Sequence, residues 1–360
     1  MPDITKLFLP NNDYDARNID ENEFEWHDIN EDAFSVHGLY KHVTGEPFLR
    51  MPSNVAANTS KDVENLNTFT AGARIRFKTD SDALYVRMYQ SGRFLISHCT
   101  ALINCGADVY ERFPDGKQVF RGAVFPSWDK FDIVSAKVNV GSLGTMREFV
   151  VNLPSHATID RMEIGIRKGS SLDRATAYKH SKPVVYYGSS ITHGFCASRP
   201  GNIYENLISR KYDIDYINLV FSGSAKGEKA IADYISGLDM SAFVLDYDHN
   251  APGHEHLEKT HYNFYKTIRK AQPDLPIILV SKPDFHVMDN GENMRRAVIM
   301  ETFAKARRNG DTKIYFVDGN SFYTDCDPAD YSVDGCHPTD RGFAEMAKHI
   351  GKTLALALGI

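Results

Sequence analysis

The sequence has little cysteine and little excess charge. Its five cysteines are scattered and odd in number, and no two of them form a Cys-x-x-Cys pair. Neither a disulfide scaffold nor a structural zinc site is therefore predicted, and reduced thiols are expected. The formal charge of −6 at pH 7 over 360 residues provides no basic excess, which argues against a nucleic-acid partner.

Long apolar runs and targeting signals are also missing. No stretch reaches the roughly 18 uninterrupted apolar residues that a membrane-spanning helix needs, so no membrane partner is expected. Residues 1–20 lack the basic start and the apolar run of a signal peptide. This favours a cytoplasmic location, although a chain whose export signal had been removed would look the same.

The spacing of apolar residues changes near residue 178. Before it, short segments alternate apolar and polar residues, as in Ala73-Arg74-Ile75-Arg76-Phe77, which is typical of strands with one buried and one wetter face. Turn sequences recur at 79–82 and 114–117. Many short strands without a long helical pattern predict an antiparallel β-sandwich. The acidic, weakly patterned residues 1–30 are expected to wrap its surface.

From residue 181 onward, apolar runs alternate with helix-like segments. This alternation predicts a parallel sheet covered by helices on both faces. We therefore predict an α/β protein of two domains, residues 1–178 and 179–360. The predicted strands of the second domain are 184–187, 216–220, 243–247, 277–280 and 314–317, and its predicted helices are 204–211, 228–235, 255–271, 294–308 and 341–358.

Polar residues follow the ends of these predicted strands. Ser190, Gly223 and Asn250 come after the first, second and third strands, and Asp334 and His337 share the loop before the last helix. Ligands of open parallel sheets bind beyond the carboxyl ends of the strands. We therefore expect these side chains to lie together at one edge of the sheet.

These residue types are those of a serine hydrolase. The Ser190 hydroxyl needs a base, His337 can accept its proton, and Asp334 can hold the other ring nitrogen. The negative oxygen of the tetrahedral intermediate needs fixed donors. The backbone N–H groups of Ser190 and Gly223 and the side-chain amide of Asn250 are the candidates for this oxyanion hole. Neither a metal nor an organic cofactor is required.

Several of these residues also have purely structural interpretations. Ser190 could cap a helix, and Gly223 or Asn250 could occupy a turn. Cys196 and Cys336 flank the same site, as small space-filling residues or as redox-active thiols.

Basic side chains near this edge are candidate substrate contacts. His249 and His254 could hydrogen-bond a polar substrate, and Arg199 could do the same or could only brace its loop. The histidine-rich stretch 249–261 lacks the His-Glu-x-x-His spacing of a helical zinc site. No metal site is therefore predicted.

Four sequence blocks occur in the order found in the SGNH hydrolases, also called the GDSL esterases and lipases. They are Gly188-Ser189-Ser190-Ile191, Gly223 within Phe221-Ser222-Gly223-Ser224, Asn250 within Asp248-His249-Asn250, and Asp334-Gly335-Cys336-His337-Pro338. Two positions depart from the pattern: the family's aspartate before the nucleophile is Ser189 here, and its Gly-x-Asn-Asp block reads Asp-His-Asn-Ala. The second half therefore resembles this family over residues 182–358.

The first half carries a loose counterpart of a Gly-Leu-Tyr-like signature, Val36-His37-Gly38-Leu39-Tyr40. It resembles the N-terminal β domain of a bacterial branch of that family. The resemblance implies a jelly-roll-like first domain and a flavodoxin-like, three-layer α/β/α hydrolase domain.

The same resemblance implies a serine esterase that hydrolyses short acyl esters through an acyl-enzyme. Acetyl esters of carbohydrates are the favoured substrates. A lipase, thioesterase or arylesterase with the same triad is one alternative, and a catalytically silent carbohydrate-binding protein is another. The expected partner is a small-molecule or oligosaccharide ester. The sequence does not determine the oligomeric state, and a homo-oligomer is one of the possibilities.

Overall fold

The first half folds into two antiparallel sheets in the computed structural model, which describes residues 21–126, 131–285 and 292–360. Its strands are β1 (Phe24–Asp28), β2 (Ser35–His37), β3 (Arg74–Thr79), β4 (Ala83–Arg93), β5 (Ala107–Arg112), β6 (Gln118–Val124), β7 (Ile133–Asn139), β8 (Arg147–Asn152), β9 (Ala157–Arg167) and β10 (Leu172–Arg174). One sheet has the order β1-β9-β4-β7. The other has the order β10-β3-β8-β5-β6, with β2 beside β3.

The two sheets pack face to face, because each contributes the apolar side chains of its inner face to one core. Phe77 and Phe149 come from one sheet, and Met88 and Ile164 come from the other. The predicted antiparallel sandwich is confirmed, and the predicted turn sequences lie between β3 and β4 and between β5 and β6.

Three short helices also lie between the strands of the first half: α1 (Ser53–Thr59), α2 (Lys61–Leu66) and α3 (Ala101–Cys105). One expectation for this half needs correction, because the expected surface wrapping by residues 1–30 is wrong where the structure describes them. Residues 24–28 form β1, which pairs with β9 and buries Phe24. The expectation for residues 1–20 falls outside the described residues.

The alternation in β3 does not produce a solvated face. Arg74 and Arg76 are both almost fully buried. The Arg74 guanidinium donates to the Tyr216 carbonyl at 3.0 Å and pairs with Asp215 of the second half. Arg74 therefore reaches the second half of the chain, whereas Arg76 pairs with Glu148 of β8 at 2.8 Å and lies over the ring of Tyr178, both in the first half.

The second half is a five-stranded parallel sheet between two helical layers. Its strands are β11 (His180–Gly188), β12 (Ile214–Val220), β13 (Ala242–Asp246), β14 (Ile277–Val280) and β15 (Ile314–Val317), in the order β12-β11-β13-β14-β15. Its helices are α4 (Tyr204–Tyr212), α5 (Lys229–Ser236), α6 (His254–Ala271), α7 (Glu292–Arg308) and α8 (Asp340–Leu358).

Helices α5, α6 and α7 cover one face of this sheet, and helices α4 and α8 cover the other. The predicted flavodoxin-like three-layer architecture is confirmed, and every predicted strand and helix of this half is present. The division into domains at residue 178 remains a prediction. No helix among the described residues is both long and apolar enough to cross a bilayer.

Candidate active site

Ser190 lies on a tight turn directly after β11. The turn is held by backbone bonds from Ser189 N–H to the Asp246 carbonyl (3.2 Å) and from Phe195 N–H to the Ser190 carbonyl (3.1 Å). Thr192 donates its hydroxyl to the Asp246 carboxylate at 3.0 Å. Ser189, at the family's aspartate position, accepts the N–H of Ile191 at 3.2 Å, so its hydroxyl stabilises this turn. The nucleophile candidate is therefore presented by the carboxyl end of β11, which lies between β12 and β13 in the sheet.

The Asp334–His337 loop folds back on itself. Asp334 Oδ1 accepts the backbone N–H groups of Cys336 (2.9 Å) and His337 (2.7 Å). Gly335 adopts a φ of +78°, a left-handed conformation that glycine adopts without steric cost. The three-residue spacing therefore brings the carboxylate next to the imidazole.

The structure brings Ser190, His337 and Asp334 together in one chain of hydrogen bonds. Ser190 Oγ lies 2.9 Å from His337 Nε2, and His337 Nδ1 lies 2.7 Å from Asp334 Oδ2. Burial alone would raise the pKa of Asp334, but the hydrogen bonds from His337 and Cys336 and the nearby imidazole lower it below its usual value. The carboxylate therefore stays ionised beside the ring, as a group that stabilises an imidazolium must.

Gly223 and Asn250 also meet, but they bond to each other. The Gly223 N–H donates to Asn250 Oδ1 at 3.1 Å, and Asn250 Nδ2 donates to the Phe221 carbonyl at 2.9 Å. Gly223 has a φ of +67°. The second N–H of the Asn250 amide is not used in this bond and can donate to an oxyanion. The Gly223 N–H could donate to an oxyanion only by sharing or giving up its bond to Asn250 Oδ1.

The two predicted histidine contacts differ in position. His249 Nε2 lies 2.8 Å from the Cys336 sulfur, and its ring centroid lies 6.3 Å from that of His337. Burial lowers the pKa of His249 to about 3 and raises that of Cys336 to about 11. Both groups are therefore neutral at pH 7. His254 begins α6 and lies 3.4 Å from Glu255, and among the described residues it makes no hydrogen bond or ring contact with Ser190, Asp334 or His337.

Arg199 reaches into the first half of the chain. Its guanidinium donates to the Tyr110 hydroxyl at 3.2 Å, lies 3.5 Å from Asp108 and covers the ring of Phe120. These contacts brace the loop after the nucleophile against β5 and β6. Other members of the predicted histidine stretch also separate, since His256 bonds the Lys226 carbonyl and His261 bonds Thr302.

Sequence reasoning missed three neighbours of the triad candidates. His98, from the first half, places Nε2 at 3.3 Å from Asp334 Oδ2. Phe195 stacks on His337 with ring centroids 5.1 Å apart. Cys99 lies 3.6 Å, sulfur to sulfur, from Cys196. No motif marks His98 or Cys99, because both lie in an irregular segment far from the second half in sequence.

One group of side chains among the described residues has the donor set of a transition-metal site. His98, Cys196, Asp334 and His337 each offer one ligand atom, and these atoms lie within 4.8 Å of one another. Two of the four residues belong to the Ser190 hydrogen-bond chain. A metal bound there would compete with that chain, and the hydrolytic chemistry of the site does not require one.

The fold and the site together define a hydrolase of the three-layer α/β class with a serine, a histidine and an aspartate in line. Residues 181–355 match the model of the GDSL-like lipase/acylhydrolase family. Residues 24–172 match the model for the N-terminus of SGNH-hydrolase-type esterases. The chain belongs to this family of SGNH/GDSL hydrolases and is an ester hydrolase.

Solved structures resemble the chain over nearly its whole length. A protein from Bacteroides ovatus assigned as GDSL-like lipase is 27% identical, covers 94% of this chain and 98% of its own, and has a TM-score of 0.82. The salicylyl-acyltransferase SsfX3 of a tetracycline biosynthetic pathway is 21% identical, with coverage of 94% and 98% and a TM-score of 0.74. An acetyl xylan esterase from Butyrivibrio proteoclasticus is 13% identical, with coverage of 93% and 99% and a TM-score of 0.58. A comparison with curated proteins returns no match.

Proposed function

We propose that the chain is a serine esterase in which Ser190, His337 and Asp334 form the catalytic triad. The observation that carries this proposal is the unbroken chain of hydrogen bonds from Ser190 Oγ through the imidazole to Asp334 Oδ2, at 2.9 and 2.7 Å. These are the contacts that a serine nucleophile, its general base and the group that orients the base need.

The reaction then follows from the roles of the three groups. His337 Nε2 takes the proton of the Ser190 hydroxyl as Oγ attacks the ester carbonyl, and the same nitrogen returns the proton to the leaving alcohol. Water, activated by the same imidazole, attacks the acyl-enzyme and releases the acid. Asp334 holds Nδ1 throughout and stabilises the positive ring.

We assign the developing oxyanion to the Ser190 N–H, the remaining N–H of Asn250 and the Gly223 N–H. The Gly223 N–H already donates to Asn250 Oδ1, so it can reach the substrate oxygen only by sharing or giving up that hydrogen bond. Donors that are already held in place gain more as the charge develops than donors that must reorganise. The contribution of Gly223 is therefore the smallest of the three in this proposal.

The surroundings of Ser190 favour a short acyl group. The residue is only 6% exposed, and Phe195 stacks on the neighbouring imidazole. Neutral polar groups, His249 and Cys336, lie beside His337. We therefore propose an acetyl ester of a carbohydrate as substrate, since sugar hydroxyls can hydrogen-bond such groups. The relative that acts on acetyl xylan supports the fold alone at its identity of 13%.

A second candidate is an ester with a larger apolar acid or alcohol. Phe94 and Leu95 are 54% and 50% exposed, and they precede His98 in the segment that reaches Asp334. Apolar side chains this exposed are available to an apolar substrate. The acyltransferase relative transfers a salicylyl group, and the same triad would serve such an ester.

The experiment combines covalent labelling with a substrate series. A fluorophosphonate should label Ser190, and labelling should vanish in Ser190→Ala but persist in Ser236→Ala, a control serine in α5 whose hydroxyl bonds within that helix. Acetate release from acetylated oligosaccharides should exceed the hydrolysis of nitrophenyl esters of long acids. Wild-type protein that never labels would refute the triad, and activity that peaks on long or aromatic acids would select the second candidate.

A further inference from the structure

Two cysteines from distant parts of the chain meet beside the triad. Cys99 belongs to the segment between β4 and α3, and Cys196 belongs to the loop after Ser190. Their sulfur atoms lie 3.6 Å apart, which is van der Waals contact. The Cys196 N–H also donates to the Cys99 sulfur at 3.3 Å. The sulfurs therefore already face each other.

The surroundings make the two thiols chemically unequal. The hydrogen bond from Cys196 lowers the pKa of Cys99, against the opposing effect of its burial. The same hydrogen bond and burial raise the pKa of Cys196. Cys99 is also partly exposed, whereas Cys196 is 8% exposed. Thiolates are the attacking species in thiol–disulfide exchange, so Cys99 is the sulfur that a small reagent meets first.

We propose that Cys99 and Cys196 are a covalent modification site that forms a reversible disulfide by exchange with a low-molecular-weight disulfide, such as oxidised glutathione. The Cys99 thiolate attacks one glutathione sulfur, the glutathione S–S bond breaks, and one glutathione leaves and takes up a proton. Cys196 loses its proton to solvent and attacks the Cys99 sulfur, which releases the second glutathione. Two protein thiols are oxidised and one oxidised glutathione is reduced to two thiols.

The cross-link would join the two halves of the chain at the site. A disulfide needs sulfurs about 2.05 Å apart, so the loops have to approach by about 1.5 Å. His98, next to Cys99, lies 3.3 Å from Asp334, and Phe195, next to Cys196, stacks on His337. Oxidation therefore ties the first-half segment to the loop that carries the nucleophile.

The competing thiols are placed less well. Cys336 interacts with the imidazoles of His249 and His337 at 2.8 and 3.9 Å, and burial raises its pKa to about 11. Cys105 is buried in α3, and burial raises its pKa to about 11 as well. Neither has a second sulfur in hydrogen-bonding contact, so Cys99 and Cys196 form the favoured pair.

The test uses the full chain and a chemical readout. Native protein is incubated with excess oxidised glutathione, alkylated, and digested with trypsin without reduction. Two of the five thiols should disappear, the intact mass should fall by two hydrogens, and the peptides 94–112 and 180–210 should be linked. Fragment masses should place the link at Cys99 rather than at Cys105, and the link should persist in Cys105→Ser and vanish in Cys99→Ser.

A second readout is the unfolding temperature. The cross-link closes a loop of about 100 residues and restricts the unfolded chain, so oxidised wild type should unfold several degrees higher than reduced wild type, and Cys99→Ser should show no such shift. Five remaining thiols, a stable glutathione adduct or a Cys196–Cys336 link would overturn the proposal. The wild-type measurement needs no variant to fold, and neither readout depends on the esterase proposal.

Discussion

Gly188, the last residue of β11, has no room for a side chain. A Cβ built on its backbone would lie 2.6 Å from Thr192 Cβ and 2.7 Å from the Asp246 carbonyl oxygen. Real Cβ atoms essentially never approach other heavy atoms within 3.0 Å. Thr192 is fully buried and bonded to Asp246, and the Asp246 carbonyl belongs to the neighbouring strand. Neither neighbour can withdraw without shifting the turn that presents Ser190.

Gly188→Ala should therefore destabilise the fold and impair the site together. Overpacking a core position costs about 1–3 kcal/mol, and loss of the Thr192–Asp246 hydrogen bond adds about 1 kcal/mol. We expect the free energy of unfolding to fall by about 2–4 kcal/mol. A displacement of Ser190 by about 1 Å would lower kcat about 100-fold.

The measurement is urea unfolding together with the hydrolysis of a nitrophenyl acetate. Gly237→Ala is the matched control, because the nearest atom to its added Cβ is 3.6 Å away and its φ is −91°. That variant should stay within about 0.5 kcal/mol of wild type and keep its kcat. If Gly188→Ala unfolds like Gly237→Ala and retains activity, the close packing beneath the nucleophile does not exist.

Three further predictions concern the titration and the hydrogen bonds of the site. Burial lowers the pKa of His156 from 6.5 to about 3 and that of His193, which stacks on it, well below 6.5. The contribution of His156 to stability is therefore complete above about pH 6.5 and is lost as the pH falls toward 3, by about 1.4 kcal/mol per pH unit, and His193 acts in the same direction. Urea unfolding at pH 7, 5.5 and 4 should show this loss, and a His156→Phe variant with an equally steep loss would contradict it. Asp334→Asn should lower kcat on the order of 10⁴-fold in nitrophenyl acetate hydrolysis, because the ring loses the group that fixes its tautomer; an effect confined to KM would exclude this role. Asn250→Ala should lower kcat about 100- to 1,000-fold in the same assay with little change in KM, and an unchanged kcat would remove Asn250 from the oxyanion hole.

The elements of the second half could be predicted because their signals are local. The apolar run of β14 and the long amphipathic pattern of α6 each lie within one segment, so neighbouring residues decide their type. The order of Ser190, Asn250 and His337 along the chain is likewise readable. Parallel strands deliver their carboxyl ends to one edge, which is why three distant blocks could be expected to converge.

The surroundings of the site could not be predicted in the same way. The alternation around Arg74 and Arg76 is compatible with a solvated face, but Arg74 is buried in contact with Asp215 of the second half and Arg76 is buried beside Glu148 and Tyr178. The mutual bond between Gly223 and Asn250 depends on the angle at which two loops meet. Neither fact has a signature in any short segment of sequence.

The amino-acid sequence alone determined where the strands and helices of the second half lie, that its sheet is parallel, and which side chains are candidates for the reaction. Tertiary structure alone decided that His98 and Cys99 of the first half reach the aspartate and the nucleophile loop of the second, at 3.3 and 3.6 Å. Secondary structure follows from periodicities within a few turns of chain. Contacts between segments nearly a hundred or more residues apart follow from the packing of whole sheets, which no local pattern records.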